Sequence, residues 1–460
     1  MQVSGPVTGG WHGWPFGGPG LDVGQYGFVQ EEYFLEGKAS CFAPEPGSEL
    51  GWDGRWTVEP VGSSPYRTRL LVVRPADPDA FNGTLLVFWN NVSAGYENIG
   101  GGESAEIFEG GYAYVAVTAQ RVGVHGAPPN PQGLQAWDPA RYASLSIPSD
   151  DYSYDIFTQA AAALSSGRPS GEVDPLGGLE VRRMIATGGS QSAARLATYV
   201  NSMQPRARIF DAFLLLLYFG GGAPLEAGEA VMTVELAASD ARSPRIPEGV
   251  HLLRDDLDTP VMVVNTECEA LSCYGVRQPD TDRYRYWEVA GASHVSLQGI
   301  RSSAPRLERD FGFSMPIDDV TMGGINQVSI APVVDAALHH LDRWLREGTV
   351  PPRQPLIDFE GQPPAVVRDA DGLARGGIRL PPVEVPVAHN SAIQKSPDVF
   401  ARLMGSHVPF SAERLDELYP TREEYLARFE EAVHAAEAAS IVLPRDVAPL
   451  MEEARSTCPL

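Results

Sequence analysis

The chain has 460 residues, of which 43% are hydrophobic and 20% charged, the balance of a globular protein large enough to bury a substantial core. Lysine and arginine number 35 against 59 acidic residues, and no basic block interrupts the net charge of −24, which argues against nucleic acid and anionic membranes as partners. No apolar run approaches the roughly 18 residues of a membrane span, and the start "MQVSGPVTGGWHGWPFGGPG" lacks a basic region followed by an apolar core. A soluble cytoplasmic protein is expected, with secretion left open if the start is processed. Four cysteines (Cys41, Cys268, Cys273, Cys458) are too few for a disulfide framework and are not spaced as a zinc site, although a Cys268–Cys273 bridge is conceivable.

In chain order, residues 1–65 are rich in glycine and proline and read as an amino-terminal elaboration. Strand patterns follow at 68–76 ("TRLLVVRPA"), 83–90 ("GTLLVFWN") and 112–120 ("YAYVAVTAQ"), then a helix at 151–167 opened by acidic residues and closed by glycine. A strand at 179–188 runs into a helix at 190–203, and further strands lie at 209–219 and 259–266. The long connection 220–258 reads as a lid or cap insert. The segment "RYRYWEVAGASH" (283–294) is a strand leaving into a small-residue loop, and 332–348 is a helix with Val334, Leu338, Leu341 and Leu345 on one face. Residues 350–460 form a carboxyl-terminal elaboration with a helix at 421–437, where Thr421 and Glu424 have capping-box spacing. Strands and helices in this alternation predict one α/β unit, a mostly parallel sheet covered on both faces.

The stretch "MIATGGSQSAARLATYV" (184–200) passes from strand through two glycines and a serine directly into a helix. Gly188, Ser190 and Ser192 form G-x-S-x-S, a variant of the nucleophile elbow in which a strained strand-to-helix turn lifts a serine hydroxyl above the sheet. The Gln191 N–H then lies at the helix start, where it can meet a developing oxyanion. His294, at the end of "WEVAGASH", reaches the same sheet edge, whereas His339, His340 and His434 fall on helices. Glu267 and Glu269 follow the strand "PVMVVNT", so serine, acid and histidine occur in the order Ser190, Glu267 or Glu269, His294. Asn91 and Val92 in "WNNVSAGYENIG" are candidates for the second oxyanion N–H. Trp89, Tyr218 and Phe219 stand near strand ends and suggest an apolar pocket, a placement that core packing explains equally well.

These segments resemble the bacterial and fungal alpha/beta hydrolase domain proteins of serine-hydrolase type. The likeness runs through "EEYFLEGKAS", "PYRTRLLVVRPADPDAFNGTLLVFWNNVSAG", "WDPARYASLSIPSDDYSYDIFTQA", "TGGSQSAARLATYVN", "DLDTPVMVVNTECEA", "YWEVAGASH" and the tail "PFSAERLDELYPTREEYLARF". It implies an α/β-hydrolase fold over residues 1–460, with Ser190 as nucleophile and His294 as base. Where the family usually shows E-T-D, this chain has Glu267-Cys268-Glu269, which favours Glu269 as the acid with Glu267 as alternative. The expected chemistry is cleavage of a small-molecule ester or lactone through an acyl-enzyme, without metal or organic cofactor. Two other functions use the same elements: an acyltransferase or lactone-forming enzyme, separated by adding an acceptor alcohol, and a ligand-binding protein with little turnover, separated by esterase assay. The fold alone does not choose among them.

Overall fold

The computed structural model describes residues 1–128, 131–167, 173–226, 250–313, 324–394 and 399–459. Among these, nine strands form one sheet: β1 (Gln2–Ser4), β2 (Phe28–Pro44), β3 (Val58–Pro75), β4 (Thr84–Trp89), β5 (Ala113–Val117), β6 (Arg183–Gly189), β7 (Ala212–Leu216), β8 (Val261–Thr266) and β9 (Tyr284–Val289). Their spatial order is β1-β2-β3-β5-β4-β6-β7-β8-β9. The first three strands and the β3–β5 pair are antiparallel, and every pairing from β5 through β4 to β9 is parallel.

The period of two along each parallel strand divides the core into two layers. On β4, Leu85, Val87 and Trp89 face one layer, while Leu86 and Phe88 face the other; Val263 and Val264 divide in the same way on β8. The helices that cover the sheet supply the opposing faces: α1 (Ala105–Glu109), α2 (Ser153–Leu164), α3 (Gln191–Thr198), α4 (Glu267–Cys273) and α6 (Ala331–Glu347), with α5 (Leu297–Phe311) between the last two in the chain. Helices α2 and α3 bury Ile156, Phe157, Leu164 and Leu196 in the first layer. Helices α1 and α6 bury Ile107, Phe108, Val333, Leu341 and Trp344 in the second. Each such side chain contributes about 1.5–3 kcal/mol of burial free energy, so the layers fix the strand register and with it the loops at the strands' carboxyl ends.

Two departures from the sequence reading concern the amino-terminal region. Strand β2 and the first ten residues of β3, Val58 to Arg67, lie within or just beyond the segment read as glycine- and proline-rich elaboration. They form a long antiparallel ribbon continuous with the main sheet. The charge on β2 hides it: Glu32 is buried, bonded by Arg69, Arg141 Nε (2.6 Å) and the Tyr142 hydroxyl (2.8 Å). Arg141 also donates to the carbonyls of Val7 and Gly9 at 2.9 and 2.6 Å, tying the first residues of the chain to the sheet. At the other end, α7 (Arg422–Ala438) and α8 (Pro444–Thr457) pack together through Tyr425, Phe429, Val433 and Met451. Most of the expected lid, residues 220–258, lies outside the described residues; its two ends meet in a bridge between Gly221 and Val250. No helix among the described residues is long and apolar enough to cross a membrane.

Candidate active site

The turn between β6 and α3 holds Ser190 at φ 60° and ψ −119°. A non-glycine residue at positive φ is uncommon and strained. The Ser190 N–H donates to the Leu216 carbonyl of the adjacent strand at 2.9 Å, which anchors the corner to β7. Gly188 is required by packing, because a Cβ there would lie 2.7 Å from the Ser192 Cβ and 3.3 Å from Leu196 Cδ1. The neighbouring serines are placed differently: Ser192 is fully buried beneath the turn, and the Ser293 hydroxyl is buried and donates to the Val295 carbonyl at 2.9 Å.

His294 lies five residues beyond β9, in the loop leading to α5. Its Nδ1 is 2.7 Å from Glu269 Oε1, with the carboxylate fully buried. An ionised carboxylate only accepts, so the proton sits on Nδ1 and the Nε2 lone pair of the neutral ring is left outward. The ring stacks on Phe219, with centroids 5.2 Å apart. Since Leu216 pairs with Gly189, and Phe219 follows Leu216 by three residues, the imidazole lies over the end of the strand adjacent to the Ser190 turn.

Both glutamates sit on the first turn of α4, a helix absent from the sequence reading. Thr266 caps it: its N–H and hydroxyl donate to Glu269 Oε2 at 2.9 and 2.6 Å, and its oxygen accepts the Cys268 N–H at 3.2 Å. One Glu269 oxygen is thereby fixed by the helix cap, leaving the other for His294. Glu267 makes a different set of bonds, accepting the Gly291 N–H at 2.9 Å and Arg368 at 2.7 Å. Gly291 is three residues before His294, so Glu267 braces the loop that carries His294 without a bond to the ring. Between them, burial and the adjacent Glu269 carboxylate push the Cys268 thiol well up, making it a neutral packing group. All four cysteines are free thiols.

The two amides proposed from the loop after β4 are distinguished by their bonds. The Asn91 N–H donates to the Asn98 carbonyl at 2.9 Å in a two-way bridge, which commits it inside the loop. The Val92 N–H has a long contact of 3.5 Å with Gln191 Oε1, at the limit of a hydrogen bond. The Asn91 side chain instead latches the loop to the serine turn, donating to the Gly189 carbonyl at 3.0 Å. The Gln191 N–H is the first amide of α3 and has no acceptor within the helix.

Of the three aromatic residues offered as pocket lining, Phe219 is at the site. Trp89 is not: it shares the face of Leu85 and Val87, is buried against Phe157 with ring centroids 4.6 Å apart, and donates its indole N–H to Gln120 at 3.0 Å. Tyr218 is likewise buried; its backbone is bonded to the Asn265 side chain at 2.7 and 2.8 Å, and its phenol lies near Cys273 and Tyr284. Missing from the sequence reading is a buried polar chain below the serine turn, formed by Gln120, Asp150 and Arg195 with Gln191.

Among curated protein sequences none matches the chain. Solved structures that resemble it include the esterase Est22, at 13% identity over 62% of this chain and 77% of that one, with a TM-score of 0.31. Brefeldin A esterase, a bacterial homologue of human hormone-sensitive lipase, matches at 12% identity over 55% and 68% of the two chains, with a TM-score of 0.25. Oligopeptidase B from Leishmania major matches at 10% identity over 55% and 32%, with a TM-score of 0.27. These likenesses are too distant to bear on activity. The profile of the alpha/beta hydrolase domain family, by contrast, matches residues 3–452, and the chain belongs to that family.

Proposed function

We propose that the chain is a serine esterase acting on a carboxylic ester or lactone. His294 Nε2 takes the proton of the Ser190 hydroxyl as Oγ attacks the carbonyl carbon, and the resulting oxyanion is met by the amides of Gln191 and Val92. The protonated His294 returns its proton to the leaving alcohol; Glu269 stabilises the imidazolium meanwhile. Water, deprotonated by the same ring, then attacks the acyl-enzyme, and the acid leaves as Ser190 regains its proton. The observation that carries this reading is the buried 2.7 Å bond from Glu269 to His294 Nδ1, which holds a base one strand away from a serine at φ 60°.

A fluorophosphonate probe is expected to label the chain at Ser190, with turnover of short p-nitrophenyl esters. Ser190→Ala is expected to abolish both, and His294→Ala to lower kcat by about a thousandfold or more. Labelling at Ser192 or Ser293, or full turnover by Ser190→Ala, overturns the assignment.

A further inference from the structure

Asp150 is fully buried and accepts on both oxygens: the Arg121 N–H at 2.7 Å on one, and Gln120 Nε2 at 2.9 Å with Arg195 at 3.0 Å on the other. A carboxylate beside a guanidinium is ionised and has no hydrogen to give, so the NH2 end of Gln120 must face it. The Gln120 carbonyl oxygen therefore points the opposite way, where it accepts the Trp89 indole N–H at 3.0 Å and Gln191 Nε2 at 2.8 Å. Trp89 is a donor only, and it sets the direction of the Gln120 amide independently of Asp150. With its NH2 group taken by Gln120, Gln191 is left with its carbonyl oxygen toward the Val92 N–H, at 3.5 Å.

From this chain of fixed directions we infer that Gln120 is a positioning residue for the oxyanion hole, acting through Gln191 on the Val92 amide. The inference rests on the esterase reading above. Gln191 joins the two donors, since its backbone N–H is one of them and its side chain aligns the other. The long Val92 contact provides a buried amide with an acceptor at rest, yet it is weak enough for that N–H to turn to a substrate oxyanion. Only this weak contact is given up when the oxyanion forms, so a donor held in this way needs little reorganisation during the reaction. The nearest charge in the chain, Asp150, is neutralised by Arg195 and separated from the oxyanion by two amides.

The test compares wild type and Gln120→Met on an ester and on the thionoester with the same acyl and alcohol groups. Sulfur accepts hydrogen bonds poorly, so a defect in the oxyanion hole lowers the ester rate more than the thionoester rate. Gln120→Met is expected to lower kcat for the ester by about tenfold to a hundredfold, with KM little changed and the thionoester affected less. Gln120→Glu preserves shape and serves if the methionine variant fails to fold. When protonated, its carboxyl group reproduces the directions of the amide; when ionised, it faces the Asp150 carboxylate. Its activity relative to wild type should therefore fall as pH rises. Unchanged kcat, or equal losses on both substrates with a pH-independent ratio for Gln120→Glu, overturns the inference while leaving the esterase reading intact. Turnover that survives Ser190→Ala overturns both.

Discussion

The loop carrying His294 and the loop carrying Val92 flank the same serine, and the groups that meet the imidazole and the Val92 amide directly are of opposite chemistry. Around His294 the supporting groups are ionised: Glu269 on the ring, and Glu267 with Arg368 on the backbone before it. Around the Val92 amide the nearest supports are neutral amides, Asn91 and Gln191 backed by Gln120, with Asp150 and Arg195 beyond them, while the buried Glu97–Arg69 pair holds the far part of the same loop. The difference follows from the charge that each side meets. In the proposed reaction the imidazole becomes positive, so a carboxylate against it stabilises the transition state; the carbonyl oxygen becomes negative, and a carboxylate there would oppose it.

Exchanging the chemistry of either side should break the contrast. Glu269→Gln removes the charge at the base while preserving shape, and kcat is expected to fall by roughly two to four orders of magnitude with the unfolding midpoint little moved. Steady-state kinetics alongside thermal melts check this. A loss under tenfold would mean that the carboxylate does little for the imidazolium. Gln191→Glu makes the converse exchange by bringing a carboxylate to the oxyanion side. About a hundredfold loss of kcat at neutral pH is expected, exceeding that of Gln191→Met, which removes the donor to Gln120 and the acceptor for Val92 without adding charge. If the two variants lose equally, the neutrality of the Gln191 side chain beside the Val92 amide has no catalytic meaning.

What could be read from the sequence follows the same division between local and distant patterns. Strands β4 to β9 and helices α2, α3 and α6 carry apolar periodicity within single windows, and the Ser190 turn and His294 adjoin such strands. Strand β2 escapes because Glu31, Glu32, Glu36 and Lys38 mask its apolar residues, and only the fold brings Arg69 and Arg141 to Glu32. Helix α4 is short and polar at its start, although Thr266-x-x-Glu269 is a capping-box pattern that marks it. Helix α5 includes Pro305 and has few apolar residues, which hides it among loop-like composition. The Gln120–Asp150–Gln191–Arg195 chain has little local signature: Gln191 and Arg195 share one face of α3, but Gln120 and Asp150 lie on two other segments and join them only in the folded chain. For Trp89 a strand-end aromatic leaves pocket and core equally open until the period of two places it on the buried face.

The smallest effect is expected where a carboxylate braces the loop without touching the ring. Glu267→Gln retains one carbonyl oxygen, which can accept either the Gly291 N–H or Arg368, while its NH2 group meets the other partner donor against donor. Arg368 is 37% exposed on its side chain and can turn to water, so the Gly291 bond is the one expected to survive. Stability should fall by about 1–3 kcal/mol for the altered buried group, while kcat falls about tenfold or less because Glu269 still holds Nδ1. Denaturant melts and steady-state kinetics on the same preparation separate the two effects. A kcat loss larger than that of Glu269→Gln would exchange the roles of the two glutamates, and with them the distinction between charging the base and bracing its loop.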